Sequence, residues 1–310
     1  MFTRTFQKLS KKDVGIAGGK GASLGEMVGA GLPVPPGFVV LAGTFDYFLE
    51  KTNLAEKIEA MLKKVKHTDS KSVDKASKDI RGLIAKVKMP QDLQVAIRAD
   101  FKNLKAKFVA VRSSATAEDS KDASWAGELD TYLNIEEKGL IEAVQKCWWS
   151  LFTSRAIFYR FEKKFQKQKV SVAVVVQKMV QSEISGISFT VHPVTKDKNQ
   201  MVIEAGFGLG EAIVGGLVTP DSYVVNKTNL SLVDITVSTQ NFAIIKSHNG
   251  NIHKKLGKEG SKQKLQIKQI MELAGICKNI EKHYKSPQDI EWAFEKGKFY
   301  ITQSRPITTL

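Results

Sequence analysis

The feature that most constrains the fold is a change in the spacing of apolar residues near residue 105. Between residues 51 and 105, apolar side chains recur every three or four positions, which is the spacing of amphipathic helices. From residue 108 onwards, short runs rich in β-branched residues alternate with polar turns, and these runs predict strands. Helical segments also lie among the strands, so we predict an α+β fold with mixed or antiparallel sheets.

Glycine and proline dominate the first 40 residues. We predict a glycine loop there, then a short helix from about Ser23, a proline turn at 32–37 and a strand at 38–41. A helix is predicted at about 140–164. The further predicted strands are 108–111, 131–135, 170–176, 187–190, 201–204, 223–225, 290–293 and 299–302.

The chain has 310 residues, which is enough for one large domain or two lobes. The polar segment 163–169 is the expected boundary, giving lobes 1–168 and 169–310 within a single domain. Two cysteines, Cys147 and Cys277, argue against a disulfide framework. No export signal and no long apolar stretch is found, so we expect a cytoplasmic protein without a membrane segment.

The formal net charge of +15 raises the possibility of a nucleic-acid partner. The excess lies in residues 51–108, with 15 basic and 7 acidic residues, and in 240–285, with 10 lysines and 3 glutamates. The first of these stretches is poor in aromatic residues, and its lysines fall on the polar faces of helices. A nucleic-acid reader interleaves basic and aromatic residues, so this function is disfavoured.

Two cations occur where an anion site would need them. Lys20 lies among glycines just before the predicted helix, where backbone N–H groups and an ammonium group can hold a phosphate, although the spacing is not that of a Walker A loop. Arg112 ends an apolar strand, where a guanidinium is costly to bury without an anion. The residues alone also allow a solvated turn around Lys20 and a pairing of Arg112 with Glu118 or Asp119.

The C-terminal hairpin carries polar residues in strands that otherwise belong in a core. With a turn at 295–298, the period of two places Asp289 and Glu291 on one face, and it does the same for Gln303 and Arg305. A carboxylate and an amide oxygen that face one point suit Mg²⁺, which binds substrate phosphates alongside one or two protein groups. A cross-strand Glu–Arg salt bridge on a solvated face is the alternative.

The sequence supports neither a dinucleotide-binding glycine motif nor zinc or thiol chemistry. The segment GFGLGE at 206–211 departs from the GxGxxG spacing, because Glu211 stands where the third glycine is required. A structural turn is the simpler interpretation. The five histidines form no metal-binding pair, and Cys147 has no adjacent base.

Seven motifs occur in a fixed order along the chain. They are GGKGASLGEM (18–27), VPPGF (34–38), AVRSSATAED (110–119), DASWAG (122–127), GFGLGE (206–211), DIEWA (289–293) and QSRP (303–306). In this order they resemble the N-terminal nucleotide-binding domain of the phosphoenolpyruvate synthase and pyruvate phosphate dikinase family. The resemblance covers nearly the whole chain and implies a two-lobed fold of the ATP-grasp type.

The resemblance also implies roles for individual residues. The catalytic cations would be Lys20, Arg112 and Arg305. Further contacts to ATP would come from Gly127 and Thr131 near the phosphates, from Gln177, and from Met179 and Val180 in the adenine hinge. The Mg²⁺ ligands would be Glu291 and Gln303. Such a set fits phosphoryl transfer, which depends on positioning and charge neutralisation.

The implied function is the ATP-binding part of a phosphoenolpyruvate synthase, a phosphotransferase of the pyruvate, water dikinase type. It would pass the β-phosphoryl group of ATP to a histidine, for transfer to pyruvate. No phosphohistidine motif is present in the sequence, so we expect the phosphohistidine and pyruvate-binding domains on another chain or on a missing part of this protein. Another acceptor, as in rifampin phosphotransferases or glucan dikinases, is the alternative, because those domains would set acceptor specificity.

Overall fold

The computed structural model describes residues 1–116, 130–162, 171–248 and 250–308, and the chain forms two compact units. The first unit contains Met1–Glu26 and Pro36–Met179, and the second contains Met27–Pro35 and Val180–Leu310. The expected lobe boundary at 168/169 differs from this division. The strand after it pairs within the first unit's sheet, so the chain passes into the second unit for the last time after Met179. The expected linker, 163–169, lies outside the described residues.

The first unit is built on a five-stranded antiparallel sheet in the order β1-β2-β5-β3-β4. Its strands are β1 (Thr3–Thr5), β2 (Gly37–Val40), β3 (Val109–Ala115), β4 (Thr131–Ile135) and β5 (Val172–Lys178). The helices in this part of the chain are α1 (Val14–Gly29), α2 (Ala42–Lys51), α3 (Ala55–Lys63), α4 (Ser70–Lys86), α5 (Gln91–Leu104), α6 (Glu137–Trp149) and α7 (Ser154–Glu162). The helical spacing at 51–105 is thereby confirmed.

One face of this sheet forms the main hydrophobic core of the first unit. Val111 of β3 is paired with Val176 of β5, which is paired in turn with Phe38 of β2, so the three side chains share a face. All three are buried and belong to the same cluster as Trp148 of α6. Burial of each such side chain contributes about 1.5–3 kcal/mol. The alternate residues of the same strands point to the opposite face.

Helix α1 packs on that opposite face and begins earlier than predicted. The glycine segment expected as a loop is part of the helix, which is kinked at Gly18 (φ 68°, ψ 171°). A Cβ at Gly18 would lie 2.2 Å from the hydroxyl oxygen of Ser114, and one at Gly25 would lie 2.5 Å from Leu9. These glycines therefore allow the helix to approach its neighbours more closely than any side chain would permit.

The second unit is built on a six-stranded antiparallel sheet in the order β13-β12-β6-β7-β8-β9, with a separate hairpin β10-β11. Its strands are β6 (Ile184–Phe189), β7 (Gln200–Phe207), β8 (Asp221–Asn226), β9 (Ser231–Thr236), β10 (Phe242–Ser247), β11 (Gly250–Lys255), β12 (Gln288–Glu295) and β13 (Lys298–Pro306). Its helices are α8 (Glu211–Val214) and α9 (Ile267–Tyr284).

The predicted α+β class is confirmed, and the sheets are of the antiparallel kind that the prediction allowed. Every strand pair in the described parts of the chain is antiparallel. Seven elements that the sequence did not predict are β1, α2, α8, β9, β10, β11 and α9. No helix within the described ranges is both long enough and apolar enough to cross a bilayer.

The second unit contains a fully buried ion pair between Asp221 and Lys264. The Lys264 ammonium lies 2.8 Å from Asp221 Oδ1, and both side chains have no exposed surface. The carboxylate also accepts hydrogen bonds from the Tyr223 hydroxyl and from the backbone N–H groups of Ser238 and Lys264. The ammonium also donates to the Ser238 and Gly260 carbonyl oxygens. These contacts join β8 to the segment before β10 and to the segment after β11.

We expect Lys264→Met to lower the free energy of unfolding by about 3 kcal/mol or more, because it leaves a buried carboxylate without its counter-ion. The matched control is Lys262→Met, which removes an exposed ion pair with Glu259 and should cost less than about 1 kcal/mol. Urea unfolding followed by circular dichroism measures both. Equal losses in the two variants would contradict a stabilising role for the buried pair.

Candidate functional site

In the first unit, three of the predicted site residues lie on the sheet face opposite the main core. Arg112 of β3 is paired in register with Thr131 of β4 on one side and with Val175 of β5 on the other. Gln177 follows Val175 by two residues and therefore points to the same side. Arg112 is 8% exposed and Gln177 is 2% exposed, whereas Thr131 is exposed. Two buried polar side chains thus share one face.

Lys20 is carried by α1 to this same side of the sheet. Its neighbour Gly21 donates a backbone hydrogen bond to the Ser114 hydroxyl at 3.3 Å. Ser114 follows Arg112 by two residues in β3, so both side chains point towards α1. Lys20 itself is half-buried. The fold therefore brings Lys20 and Arg112, which are far apart in sequence, to one side of one sheet.

Three further residues were predicted to contact ATP in this region, namely Met179, Val180 and Gly127. Met179 follows β5, and its N–H donates to the Phe108 carbonyl oxygen at 3.0 Å. Val180 is buried and belongs to the second unit. Gly127 lies outside the described residues, as do Glu118 and Asp119, the alternative partners for Arg112.

In the second unit, β12 and β13 pair as the period of two predicts. Glu291 is opposite Gln303, and Asp289 is opposite Arg305, so the four side chains share one face. Arg305 donates from Nε and Nη2 to Asp289 Oδ2, at 2.9 and 2.7 Å. A cross-strand salt bridge therefore exists, and it joins Arg305 to Asp289.

The sequence reading gave no role to Glu204, which lies on the same row of the sheet. Ile187 of β6 is paired with Glu291 on one side and with Glu204 of β7 on the other. Burial raises the pKa of Glu204, and the nearby charge of Asp289 raises it further. Burial also raises the pKa of Asp289, against the opposing effect of Arg305. Negative charge is therefore concentrated on a half-buried face.

This face has the donor chemistry of a Mg²⁺ site. Glu291 and Gln303 supply a carboxylate and an amide oxygen at paired register positions. No group of three His, Cys, Asp or Glu side chains that could hold a metal ion occurs in the described parts of the chain. Mg²⁺ usually binds through one or two protein oxygens and completes its shell with waters and phosphates. The raised pKa values of Asp289 and Glu204 indicate that a cation nearby would be favourable.

The glycine-rich segment at 206–211 has a structural role. Gly208 has φ +89°, and a Cβ there would lie 2.5 Å from the Ile244 carbonyl oxygen. Its own carbonyl oxygen accepts hydrogen bonds from the Ser182 and Ser185 hydroxyl groups. The segment therefore joins β6 and β7 to β10, in agreement with its interpretation as a structural turn.

The two cysteines are buried free thiols. Burial raises the pKa of both Cys147 and Cys277 to about 12. Both are therefore protonated at neutral pH, which makes them poor nucleophiles.

Asp289, Ser114 and Glu204 were not assigned a functional role from the sequence. The sequence already placed Asp289 on the face of Glu291, and the register of the hairpin adds its pairing with Arg305. Ser114 lies within the motif AVRSSATAED, but the neighbouring sequence does not indicate that its hydroxyl contacts α1. Glu204 interrupts an apolar run, and its relation to Glu291 depends on a strand order that the sequence alone does not provide.

Comparison with known proteins identifies relatives over the whole chain. The sequence profile of the family described as "Pyruvate phosphate dikinase, AMP/ATP-binding domain" matches residues 14–310. A probable phosphoenolpyruvate synthase of Methanocaldococcus jannaschii is 48% identical over 318 residues, covering 100% of this chain and 27% of the relative. A rifampicin phosphotransferase of Bacillus cereus is 40% identical over 314 residues, covering 100% of this chain and 36% of the relative.

Among solved structures, a D-alanine–D-alanine ligase from Helicobacter pylori matches 71% of this chain and 47% of its own. The TM-score is 0.31 and the identity is 13%. The family assignment rests on the profile and on the relatives rather than on this structure.

We expect Glu204→Gln to increase the free energy of unfolding at pH 7, because the folded chain holds this carboxylate at a raised pKa. Burial disfavours the charged form of Glu204 only in the folded chain. The free energy of unfolding therefore falls as pH rises through the pKa of glutamate in the unfolded chain, which is about 4.3. The gain should therefore vanish below about pH 4. The control is Glu272→Gln on α9, at an exposed position. Urea unfolding from pH 3 to 8 tests this, and a gain that does not depend on pH would contradict it.

Proposed function

Because the chain belongs to the pyruvate phosphate dikinase AMP/ATP-binding domain family, we propose that it binds MgATP and serves as the ATP-binding part of a phosphoenolpyruvate synthase. The observation that carries this proposal is the pairing of Glu291 with Gln303 beside Asp289 and Arg305. Such a face offers oxygen ligands for a cation and a guanidinium for a phosphate.

In the first unit, Lys20 and Arg112 neutralise the phosphates of ATP. The burial of Arg112 on the face towards α1 supports this role, because a guanidinium in such a position gains most from an anionic ligand. Thr131, paired with Arg112 in register, and Gly127 contact the same phosphates. Gln177 contacts the nucleotide, and Met179 and Val180 meet the adenine.

In the second unit, Glu291 and Gln303 hold Mg²⁺. When bound, Mg²⁺ neutralises phosphate charge and orients the phosphates for transfer. Arg305 contacts the transferring phosphoryl group. The hydrogen bonds from Arg305 to Asp289 keep its guanidinium on the face that carries Glu291, so that its position is set before the nucleotide binds.

The complete reaction would convert ATP, pyruvate and water into AMP, phosphoenolpyruvate and phosphate. In our proposal this chain donates the β-phosphoryl group to a histidine on a separate domain or subunit, and a pyruvate-binding domain completes the transfer. The chain spans between 27% and 46% of the length of the first curated relatives that it matches. These two further domains are therefore the partners that we propose.

A second candidate keeps MgATP and changes the acceptor. The rifampicin phosphotransferase of Bacillus cereus, 40% identical to this chain, supports it. The first proposal is favoured because several relatives between 40% and 48% identical are named as phosphoenolpyruvate synthases, most of them with the qualifier "probable". Assays of the complete protein with pyruvate and with rifampicin as acceptors would separate the two.

Substitution tests the three side chains that we propose as phosphate-binding cations. We expect each of Lys20→Ala, Arg112→Ala and Arg305→Ala to weaken MgATP binding by about tenfold or more, since each would remove a charge-assisted contact worth about 1.5–3 kcal/mol. Isothermal titration calorimetry measures this on the full chain. The control is Lys57→Ala, which changes an exposed lysine of α3 and should leave binding normal. Normal binding by all three variants, or loss of binding in the control, would contradict the assignment.

The proposed role of Glu291 as a Mg²⁺ ligand can also be tested by substitution. We expect Glu291→Gln to reduce the gain in ATP affinity that Mg²⁺ provides by about tenfold, because a neutral amide is a weaker ligand than a carboxylate. Titrations of ATP with and without Mg²⁺ measure this gain. Glu295→Gln, four residues further along the hairpin, is the control and should retain the full gain. An unchanged Mg²⁺ effect in Glu291→Gln would contradict its role as a ligand.

A further inference from the structure

Ser114 is a fully buried polar residue that links β3 to α1. Its hydroxyl donates to the Ala17 carbonyl oxygen at 3.0 Å and accepts from the Gly21 N–H at 3.3 Å. In a regular α-helix, residues 17 and 21 would bond directly to each other. The serine hydroxyl therefore bridges two backbone groups that lie one helical turn apart.

This bridge coincides with the kink of α1. Gly18 has φ 68° and ψ 171°, so the helix is interrupted one residue after Ala17. Side chains that enter the ladder are a known cause of kinks. A Cβ at Gly18 would lie 2.2 Å from the Ser114 hydroxyl and 2.3 Å from its carbonyl oxygen, so glycine is required for the contact to form.

The turn closed in this way is the one that carries Lys20. The two backbone groups that Ser114 holds, on Ala17 and Gly21, flank Lys20 in the chain. Ser114 also follows Arg112 by two residues on the same face of β3. One side chain thus fixes the backbone around Lys20 relative to the strand that carries Arg112.

We propose that Ser114 is a positioning residue that sets Lys20 relative to Arg112 for binding the phosphates of ATP. This inference rests on the proposed function, since it gives Ser114 a role only through Lys20. A hydroxyl suits the task because it donates and accepts at once, which an alanine methyl cannot do. Being neutral, it adds no charge that would compete with the two cations.

The neighbouring Ser113 provides a matched control. It is equally buried, but it points to the opposite face of β3, where its hydroxyl contacts the Cys147 carbonyl oxygen and Ser150. Ser113→Ala therefore removes a buried hydroxyl from the same strand without touching α1. Any general effect of such a loss on the fold should appear in both variants.

The test is calorimetric titration of the full chain with MgATP and with adenosine. We expect Ser114→Ala to weaken MgATP binding by about tenfold while adenosine binding changes by less than about twofold. Ser113→Ala should leave the ratio of the two affinities unchanged. Should Ser114→Ala fail to fold, Ser114→Cys retains a side chain of similar size with a weaker donor, and a smaller loss of the same kind is expected.

A double-mutant cycle with Lys20→Ala identifies the route of the effect. If Ser114 acts through Lys20, adding Ser114→Ala to Lys20→Ala should cost less than about twofold in MgATP affinity. An equal loss of adenosine and MgATP binding, or a full tenfold cost in the Lys20→Ala background, would overturn the proposal. Failure of the unsubstituted chain to bind MgATP would instead overturn the proposed function on which it rests.

Discussion

Side chains on a β-strand alternate between two faces, and the arrangement of both candidate regions depends on this constraint. In the first unit, Val111 and Val176 fill the core on one face, so Arg112 and Gln177 must point to the other. In the second unit, Glu291 lies on the face that also carries Gln303 and Glu204. Its neighbour Ile290 points the other way and is fully buried. Polar groups are thus gathered without loss of the core.

A second constraint is the close packing of α1 on its sheet. The glycines of this segment suggest a phosphate-binding loop when read alone, yet Gly18 and Gly25 are required by contacts with Ser114 and Leu9. The two explanations are compatible. Close packing places the helix against β3, and the lysine carried by the helix then lies on the side to which Arg112 points. The residues that pack α1 against β3 therefore also place Lys20 on the side to which Arg112 points.

The sequence predicted the features that depend on local period. The helices of residues 51–105 and the pairing of β12 with β13 follow from spacing and from one tight turn. It did not predict the helical state of the glycine segment, because glycine has low helix propensity and tertiary contacts outweigh it here. Strand β11 is exposed along its whole length and lacks an apolar pattern, so its pairing with β10 was not predicted. Contacts such as Asp221 with Lys264 depend on the path of the chain, which local spacing does not encode.

The proposed binding of MgATP involves Lys20 of α1 and Arg112 of β3 in the first unit, and the polar residues of β12 and β13 in the second. Hydrogen exchange of the full chain with and without MgATP tests it most directly. The account predicts slower exchange of backbone N–H groups at 18–24, 109–115 and 288–306 when MgATP is added, with no change in α3 and α4, which lie within the lysine-rich stretch 51–108. Protection confined to α3 and α4, or no protection anywhere, would contradict it.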